Sequence, residues 1–452
     1  MLDCVVLGAG ISGLSTAYYL RKLGVKRIAV LEKGKIGGKI GTVREGGFIV
    51  EKGPNGFLDN KPFALELVKE LGMEEELYPS SDEARHRFLL VDGRLVEIPL
   101  TPKDFFSSSV LSLQGKLEVL KEPFVRRFPP FLDPSVGEFC ERRLGAEMVE
   151  RLIDPMVAGV YGGRAYRLSM KSAFPLLWRL EQRYGSLVRA LLGLKRERRL
   201  KGGPAGPGGR LVSLKKGLFS IIEGLCERLK GEVVLAAGCE VEGVKVLPGH
   251  FVVKTRELTF VSRSLVVSTP AYEAARMLED YPVREALSSI PYVPMVVVAL
   301  GYERKKIKHP LNGFGFLVPE REGRKILGCL WDSRIFPNRA PSGYELFRVM
   351  LGGARSPELF ELSDEELADL AVSEISDILN IEGSPDFVKL FRYERAIPQY
   401  TVGHEKRLEA IESFLVKFPG LFLNSNAYRG VALNDCVGNS KVIASKVAGF
   451  LS

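Results

Sequence analysis

The stretch VVLGAGISGLSTAYYLRKLG, Val5 to Gly24, decides the fold. An apolar run enters Gly8-Ala9-Gly10-Ile11-Ser12-Gly13, and an amphipathic helical pattern follows. A strand feeding a glycine turn that opens a helix is the phosphate-binding corner of a βαβ unit. Gly8 permits the tight turn, Gly10 lets backbone approach a pyrophosphate, and Gly13 lets helix pack closely on strand. The helix N-terminus then faces negative charge. The next apolar run, Ile28-Ala29-Val30-Leu31, closes on Glu32, about 20 residues beyond the last glycine, where a carboxylate accepts hydrogen bonds from an adenosine ribose. A bound dinucleotide is expected; glycine spacing alone does not separate NAD from FAD.

Around this unit, 452 residues exceed a single core, so two or three domains are expected. The composition, 46% hydrophobic and 26% charged, is globular. A net charge of +9 favours an anionic ligand or surface, or reflects only a lysine-rich exterior. Without a nucleic-acid motif or basic-aromatic array, nucleic acid is not an expected partner. The six cysteines form no CxxC pair, which argues against a zinc ribbon or disulfide framework and suits a reducing compartment. His86, His250, His309 and His404 lack ligand spacing and read as surface or loop residues, so no metal is expected. Met1-Leu2-Asp3 leads straight into the first strand, with no signal peptide, and a cytoplasmic location is expected. No apolar run approaches the roughly 20 residues of a membrane span. VPMVVVAL, Val293 to Leu300, reads as a buried strand.

Farther along, residues 36–59 are glycine-rich and loop-like, and a helical period runs from Lys61 to Lys69. Phe88 to Ile98 reads as a hairpin turning at Asp92-Gly93. Helical spacing recurs over Leu111–Leu120, Ser135–Arg151 and Ser169–Leu192. The charged, then Gly/Pro-rich stretch 194–211 reads as an exposed connector. A helix, Leu218–Leu229, precedes several strands. Ser363-Asp364-Glu365-Glu366 starts a helix with a capping box, and another helix spans about Val437 to Phe450.

Three later segments narrow the ligand. EKGKIGGKIGT, Glu32 to Thr42, looks like the second dinucleotide motif of flavin oxidoreductases related to amine oxidases; GPNG, Gly53 to Gly56, is a further glycine turn; YRGVALNDC, Tyr428 to Cys436, suits an element that closes over a flavin. With GVYGGRAYRLSMKSAFP (Gly159–Pro175), SLKKGL (Ser213–Leu218), AIPQYTVGH (Ala396–His404) and NAYRGVALNDC (Asn426–Cys436), the whole chain resembles the FAD-dependent protoporphyrinogen/coproporphyrinogen oxidase family of the amine-oxidase-like flavoproteins.

The resemblance implies an α/β fold: a Rossmann-like FAD-binding domain of the amine-oxidase (GR2) type, a mixed-sheet substrate domain and an inserted helical domain. It divides the chain into FAD-binding parts 1–80, 206–275 and 396–452, a substrate hairpin 81–100 with substrate domain 276–395, and a helical insertion 101–205. Flavin contacts would come from Gly8, Ala9, Gly10, Ile11, Ser12, Gly13, Glu32, Lys33, Lys39, Gly53, Pro54, Asn55, Gly56, Val241, Val431, Ala432 and Leu433. Arg87 would pair with a substrate propionate, Gly159 would approach the tetrapyrrole, and Leu317, Leu330 and Met350 would sandwich it. A porphyrinogen is bulky and apolar with several carboxylates, so aliphatic walls and few cations suit it. Asn55 departs from members that carry arginine there.

The implied reaction takes a porphyrinogen to its porphyrin, hydride passing to the flavin and O2 reoxidising it; no catalytic acid or base stands out. The stretch Leu111 to Leu132 mixes Lys116, Lys121, Arg126 and Arg127 with Phe124, Phe128 and Phe131, which suits peripheral contact with the inner face of an anionic membrane. A homodimer and hand-off of product to ferrochelatase are further expectations. Protoporphyrinogen and coproporphyrinogen both remain open, as do an amine- or carotenoid-type oxidoreductase of the same fold and a non-enzymatic binding relative.

Overall fold

The computed structural model describes residues 1–196 and 209–452; most of the expected connector lies outside the described residues. The opening strand, Leu2–Leu7, is apolar at every position from Cys4 onward because both its faces are covered. Cys4 and Val6 enter one core with the helix Ile11–Lys22, whereas Val5 and Leu7 enter another. Parallel neighbours flank it: Ile28–Glu32 and then Val234–Ala237 on one side, Thr259–Val267 on the other. The long strand Thr259–Val267 splits its far edge, pairing antiparallel with His250–Thr255 through its first half and parallel with Leu421–Leu423 through its second. Val241–Leu247 completes this seven-stranded sheet. The closing helix, Leu433–Leu451, packs on Ile11–Lys22: the Asn424 amide donates to Thr16 Oγ1 and Ser440 Oγ, both at 2.9 Å, and Ser440 Oγ reaches the Ser12 carbonyl at 2.9 Å. The end of the chain thus brackets its beginning.

A second seven-stranded sheet runs Phe387–Pro398, Tyr292–Glu303, Tyr344–Gly352, Ile326–Trp331, Gly315–Leu317, Phe88–Val91 and Arg94–Glu97. It is antiparallel except where Gly315–Leu317 meets Phe88–Val91. Period-two alternation separates its faces. Val296, Val298, Leu300, Phe347, Val349, Cys329 and Trp331 pack under the helix Asp364–Leu379, which starts at the expected Ser363–Glu366 capping box. The opposite face carries Leu89, Leu317, Leu330 and Met350. The hairpin turns at Asp92-Gly93 with φ of 50° and 75°, the left-handed pair that such a two-residue turn requires.

Helices from residue 102 to 196 lie beyond that second face. Arg143, with no exposed side chain, donates to Glu122 Oε1 at 2.5 Å and Glu181 Oε1 at 2.6 Å. Glu122 also accepts from the N–H groups of Leu187 and Val188 at a helix start, so the buried charges are paired and hydrogen-bonded.

Several expectations need correction. Residues 36–59 are not all loop: Thr42–Glu45 and Phe48–Glu51 form a hairpin about Gly46-Gly47, anchored where Phe48 stacks on Phe387 at 4.5 Å. Ser135–Arg151 is not one helix. Gly145, at φ 89°, ends Val136–Leu144, and a π-helical turn, Val149–Ile153, leads into Asp154–Tyr161. Ser169–Leu192 is broken at Phe174-Pro175 and Gly185. The closing helix starts at Leu433, earlier than its apolar period suggests. His404 is neither surface nor loop: it is fully buried in the first turn of His404–Leu415, stacked 4.3 Å from Tyr400, with Nε2 3.0 Å from the Tyr428 carbonyl. Burial lowers its pKa to about 4.

Candidate active site

At the turn after Leu2–Leu7, Gly8 takes φ 97°, a conformation other residues reach only with strain. A Cβ on Gly13 would lie 1.9 Å from the Gly8 carbonyl oxygen, so the helix approaches the strand too closely for any side chain. At Gly10 nothing is nearer than Gly38 Cα, 3.9 Å away, leaving its outer face open. The Ala9 N–H donates to Glu32 Oε2 at 2.9 Å, which seats the carboxylate at the mouth of the turn. Beside Gly8, Ser268 Oγ and Thr269 Oγ1 are buried without a partner. Ile11 and Ser12 form the helix's first turn.

The loop after Glu32 folds back over this corner. The Gly37 N–H donates to the Ala9 carbonyl at 2.9 Å, and Gly37 bridges Gly10. A Cβ on Gly53 would meet the Lys39 carbonyl oxygen at 2.3 Å, and one on Gly56 the Val212 carbonyl oxygen at 2.6 Å. The Gly53–Gly56 turn is thereby wedged between two backbones, with Pro54 exposed and Asn55 buried. Ala9, Ile40, Phe57 and Leu433 share one core, which brings the closing helix to the corner; Val431 and Ala432 lead into it. Val241 starts its strand two residues after Cys239, whose N–H donates to the Glu32 carbonyl at 2.8 Å. Lys33 pairs with Glu273 at the edge of a cleft of about 620 Å³, lined also by Lys39, Tyr272, Arg276 and Arg395.

Lys39 is the electrostatic anomaly. Its ammonium contacts the carbonyl oxygens of Arg395 and Ala396 and lies 5.5 Å from the Tyr292 ring, with no carboxylate among the described residues. Burial lowers its pKa to about 8. A half-buried cation without an anion is costly, and a pyrophosphate would supply one. The open glycine corner, the seated carboxylate, the orphaned hydroxyls and this cation all fit a dinucleotide.

Across from the corner lies the second sheet's free face. Leu317, Gly328 and Met350 share one row, and Gly315, Leu330 and Arg348 the next. Leu317, Leu330 and Met350 are half-buried and belong to three different clusters, so neighbouring side chains do not close the face. Gly159 roofs it: a Cβ there would lie 2.8 Å from Leu317 Cδ2. Arg87, two residues before Leu89, stacks 4.9 Å from the Phe314 ring. Its Nε is buried without a partner, and burial lowers its pKa. An aliphatic face with an unpaired guanidinium at its side suits a flat apolar molecule bearing carboxylates.

Sequence reasoning missed Asp332 and Arg348. Asp332 is fully buried, accepts from Asn55 Nδ2 at 3.0 Å and pairs with Arg348 Nε at 3.3 Å. Nothing in DSRIF or ELFRV marks a site; only the fold, which sets the end of one strand beside its neighbour, joins them.

Comparison with known proteins agrees with this geometry. Residues 11–447 match the family of flavin containing amine oxidoreductases. The chain is 30% identical to coproporphyrinogen III oxidase of Bacillus subtilis, over 99% of this chain and 98% of that one. It is 34% identical to chloroplastic protoporphyrinogen oxidase of Oryza sativa, over 100% of this chain and 89% of the relative. Among solved structures, a protein described as a protoporphyrinogen oxidase from Exiguobacterium sp. 255-15 superposes with a TM-score of 0.87 at 27% identity, covering 99% of this chain and 98% of that chain. The chain therefore belongs to the flavin-containing amine oxidoreductases, within the protoporphyrinogen and coproporphyrinogen III oxidase group, and is an oxidoreductase whose cofactor is FAD.

Proposed function

We propose that this protein oxidises protoporphyrinogen IX to protoporphyrin IX in haem synthesis, with O2 as electron acceptor. The observation that carries the substrate class is the half-closed aliphatic face of Leu317, Leu330 and Met350 beside the unpaired Arg87. FAD, when bound, supplies the hydride-accepting chemistry. The chain's own residues supply position. Glu32 would accept from the ribose, Lys39 would meet the pyrophosphate, and the backbone of Gly8–Gly13, Gly53–Gly56 and Val431–Leu433 would hold the cofactor, with Val241 and Lys33 toward its adenine part. Arg87 takes one propionate; Gly159 and Leu317 set the height of the slot. Orientation does the work, and no side chain is assigned as acid or base.

Coproporphyrinogen III is the second reading, favoured by the similarity to the Bacillus subtilis enzyme. Steady-state oxidation of both porphyrinogens, followed by porphyrin fluorescence with and without detergent, tests the proposal. Faster turnover of protoporphyrinogen supports it, preference for coproporphyrinogen transfers it to the second reading, and oxidation of neither overturns both.

The domain division follows the same reading: flavin parts 1–80, 206–275 and 396–452 around a substrate domain and a helical insertion. Within that insertion Leu113, Phe124 and Phe131 are 76%, 84% and 81% exposed near Lys121, Arg126 and Arg127. This surface supports peripheral membrane contact, which flotation with anionic liposomes tests. No helix among the described residues is long and apolar enough to cross a membrane. Hand-off to ferrochelatase and a homodimer belong to the same proposal and are checked by pull-down and by light scattering.

A further inference from the structure

Asp332 and Arg348 form a charged pair with side-chain exposures of 1% and 4%; Asp332 opens the short helix Asp332–Ile335 that follows the strand Ile326–Trp331, and Arg348 lies on the neighbouring strand Tyr344–Gly352. Arg348 stands on the open face itself, directly across from Leu330 and two residues from Met350, and Asp332 follows Leu330 by two residues at the strand's end. Both reach the flavin-side turn. Asp332 Oδ1 accepts from Asn55 Nδ2 at 3.0 Å, and Arg348 Nη1 donates to the carbonyls of Gly53 at 2.8 Å and Glu51 at 3.2 Å. Removing two charges from water is costly, and replacing such a pair with apolar residues is often neutral for stability. Its geometry therefore calls for another reason. The pair is the polar connection between the turn laid against the cofactor and the strands that carry the substrate wall. It also accounts for Asn55: with Arg348 already supplying the cation opposite Asp332, an amide at position 55 completes the hydrogen bond without a second buried charge.

We propose that Asp332 is a positioning residue: its carboxylate, bonded to Asn55 and paired with Arg348, sets the distance and tilt of the Gly53–Gly56 turn relative to Leu330 and Met350. The proposal rests on the reading that FAD lies along that turn. Hydride transfer is sensitive to sub-ångström displacement, so a loosened turn lowers turnover more than binding.

The test uses the FAD-loaded full chain. Asp332→Asn places one amide against another and removes the charge facing Arg348. Asp332→Glu keeps a carboxylate for Asn55 and Arg348. FAD content, visible spectrum and reduction potential are measured without porphyrinogen, followed by kcat and KM. In Asp332→Asn, FAD content is expected to hold, the potential and absorption band to shift, and kcat to fall about tenfold or more with KM nearly unchanged. Asp332→Glu is expected to keep the potential and kcat closer to those of the unmodified protein. An unchanged potential and kcat in Asp332→Asn, or an Asp332→Glu as impaired as Asp332→Asn, overturns the proposal. Should Asp332→Asn fail to fold, Arg348→Lys, which keeps the charge but loses the bonds to the Gly53 and Glu51 carbonyls, decides alone: a shifted potential with lowered kcat supports positioning, and native values overturn it. Because spectrum and potential need no porphyrinogen, failure of the substrate assignment is seen separately, as inactivity of the unmodified protein.

Discussion

The two seven-stranded sheets expose different parts of the chain. The first presents backbone: Gly8, Gly10, Gly13, Gly37 and Gly53 strip side chains from a corner where main chains run against one another. The second presents side chains: one face closes under the helix Asp364–Leu379, and the other keeps Leu317, Leu330 and Met350 half-open beside Arg87. At Gly13, Gly37 and Gly53 an added Cβ would overlap neighbouring atoms, so those positions tolerate almost no substitution. A side-chain site loses affinity or geometry in steps and can be retuned.

Gly13→Val should produce the largest effect and breaks the backbone site directly. With the Gly8 carbonyl oxygen 1.9 Å from the added Cβ, the chain is expected to lose flavin and most soluble, folded protein, read as absorbance per chain and as far-UV circular dichroism. Arg87→Ala should leave flavin content intact and raise KM for the porphyrinogen about tenfold to a hundredfold, as expected for loss of a charge-assisted bond worth about 1.5–3 kcal/mol. Equal flavin loss in both variants would erase the distinction between the sheets. Gly159→Ala crowds Leu317 Cδ2 at 2.8 Å and should lower kcat/KM about tenfold through overpacking. Adding Leu317→Ala should restore part of the activity, since the two residues share one contact.

The smallest effect is a pH dependence. Without cofactor, Lys39 has a pKa of about 8, so below that value it meets a pyrophosphate already charged. Above it, binding must first recapture a proton, and FAD affinity is expected to fall severalfold by about pH 9.5, no further than the weaker affinity of Lys39→Met, whose profile stays flat over the same range. A titration of apoprotein with FAD by fluorescence quenching from pH 7 to 9.5 checks it; an unmodified protein with a flat profile removes Lys39 from the phosphate.

Legibility follows the same division. The corner at Gly8–Gly13, the carboxylate at Glu32 and the Ser363 cap could be read because short-range geometry restricts which residues can stand there. The same holds for the buried strand around Val293–Leu300, whose continuous apolar run leaves few alternatives. Arg87 and the three aliphatic residues entered only through family resemblance, since a lone arginine and scattered aliphatics look like surface and core. His404 was misread because its burial depends on Tyr400 and Tyr428, which reach it only through the fold. Leu433 escaped as a helix start because its partner core is supplied by residues near the other end of the chain.

By itself, then, the sequence determined a dinucleotide corner, a mixed α/β architecture and a family, since each is written in local spacing and in motifs that survive without knowledge of neighbours. Tertiary structure alone decided which face of the second sheet stays open, that Lys39 has no carboxylate partner among the described residues, and that Asp332 meets Asn55 and Arg348. Those outcomes depend on strand register and long-range packing; a one-residue shift of register would send Leu317, Leu330, Arg348 and Met350 to the other face.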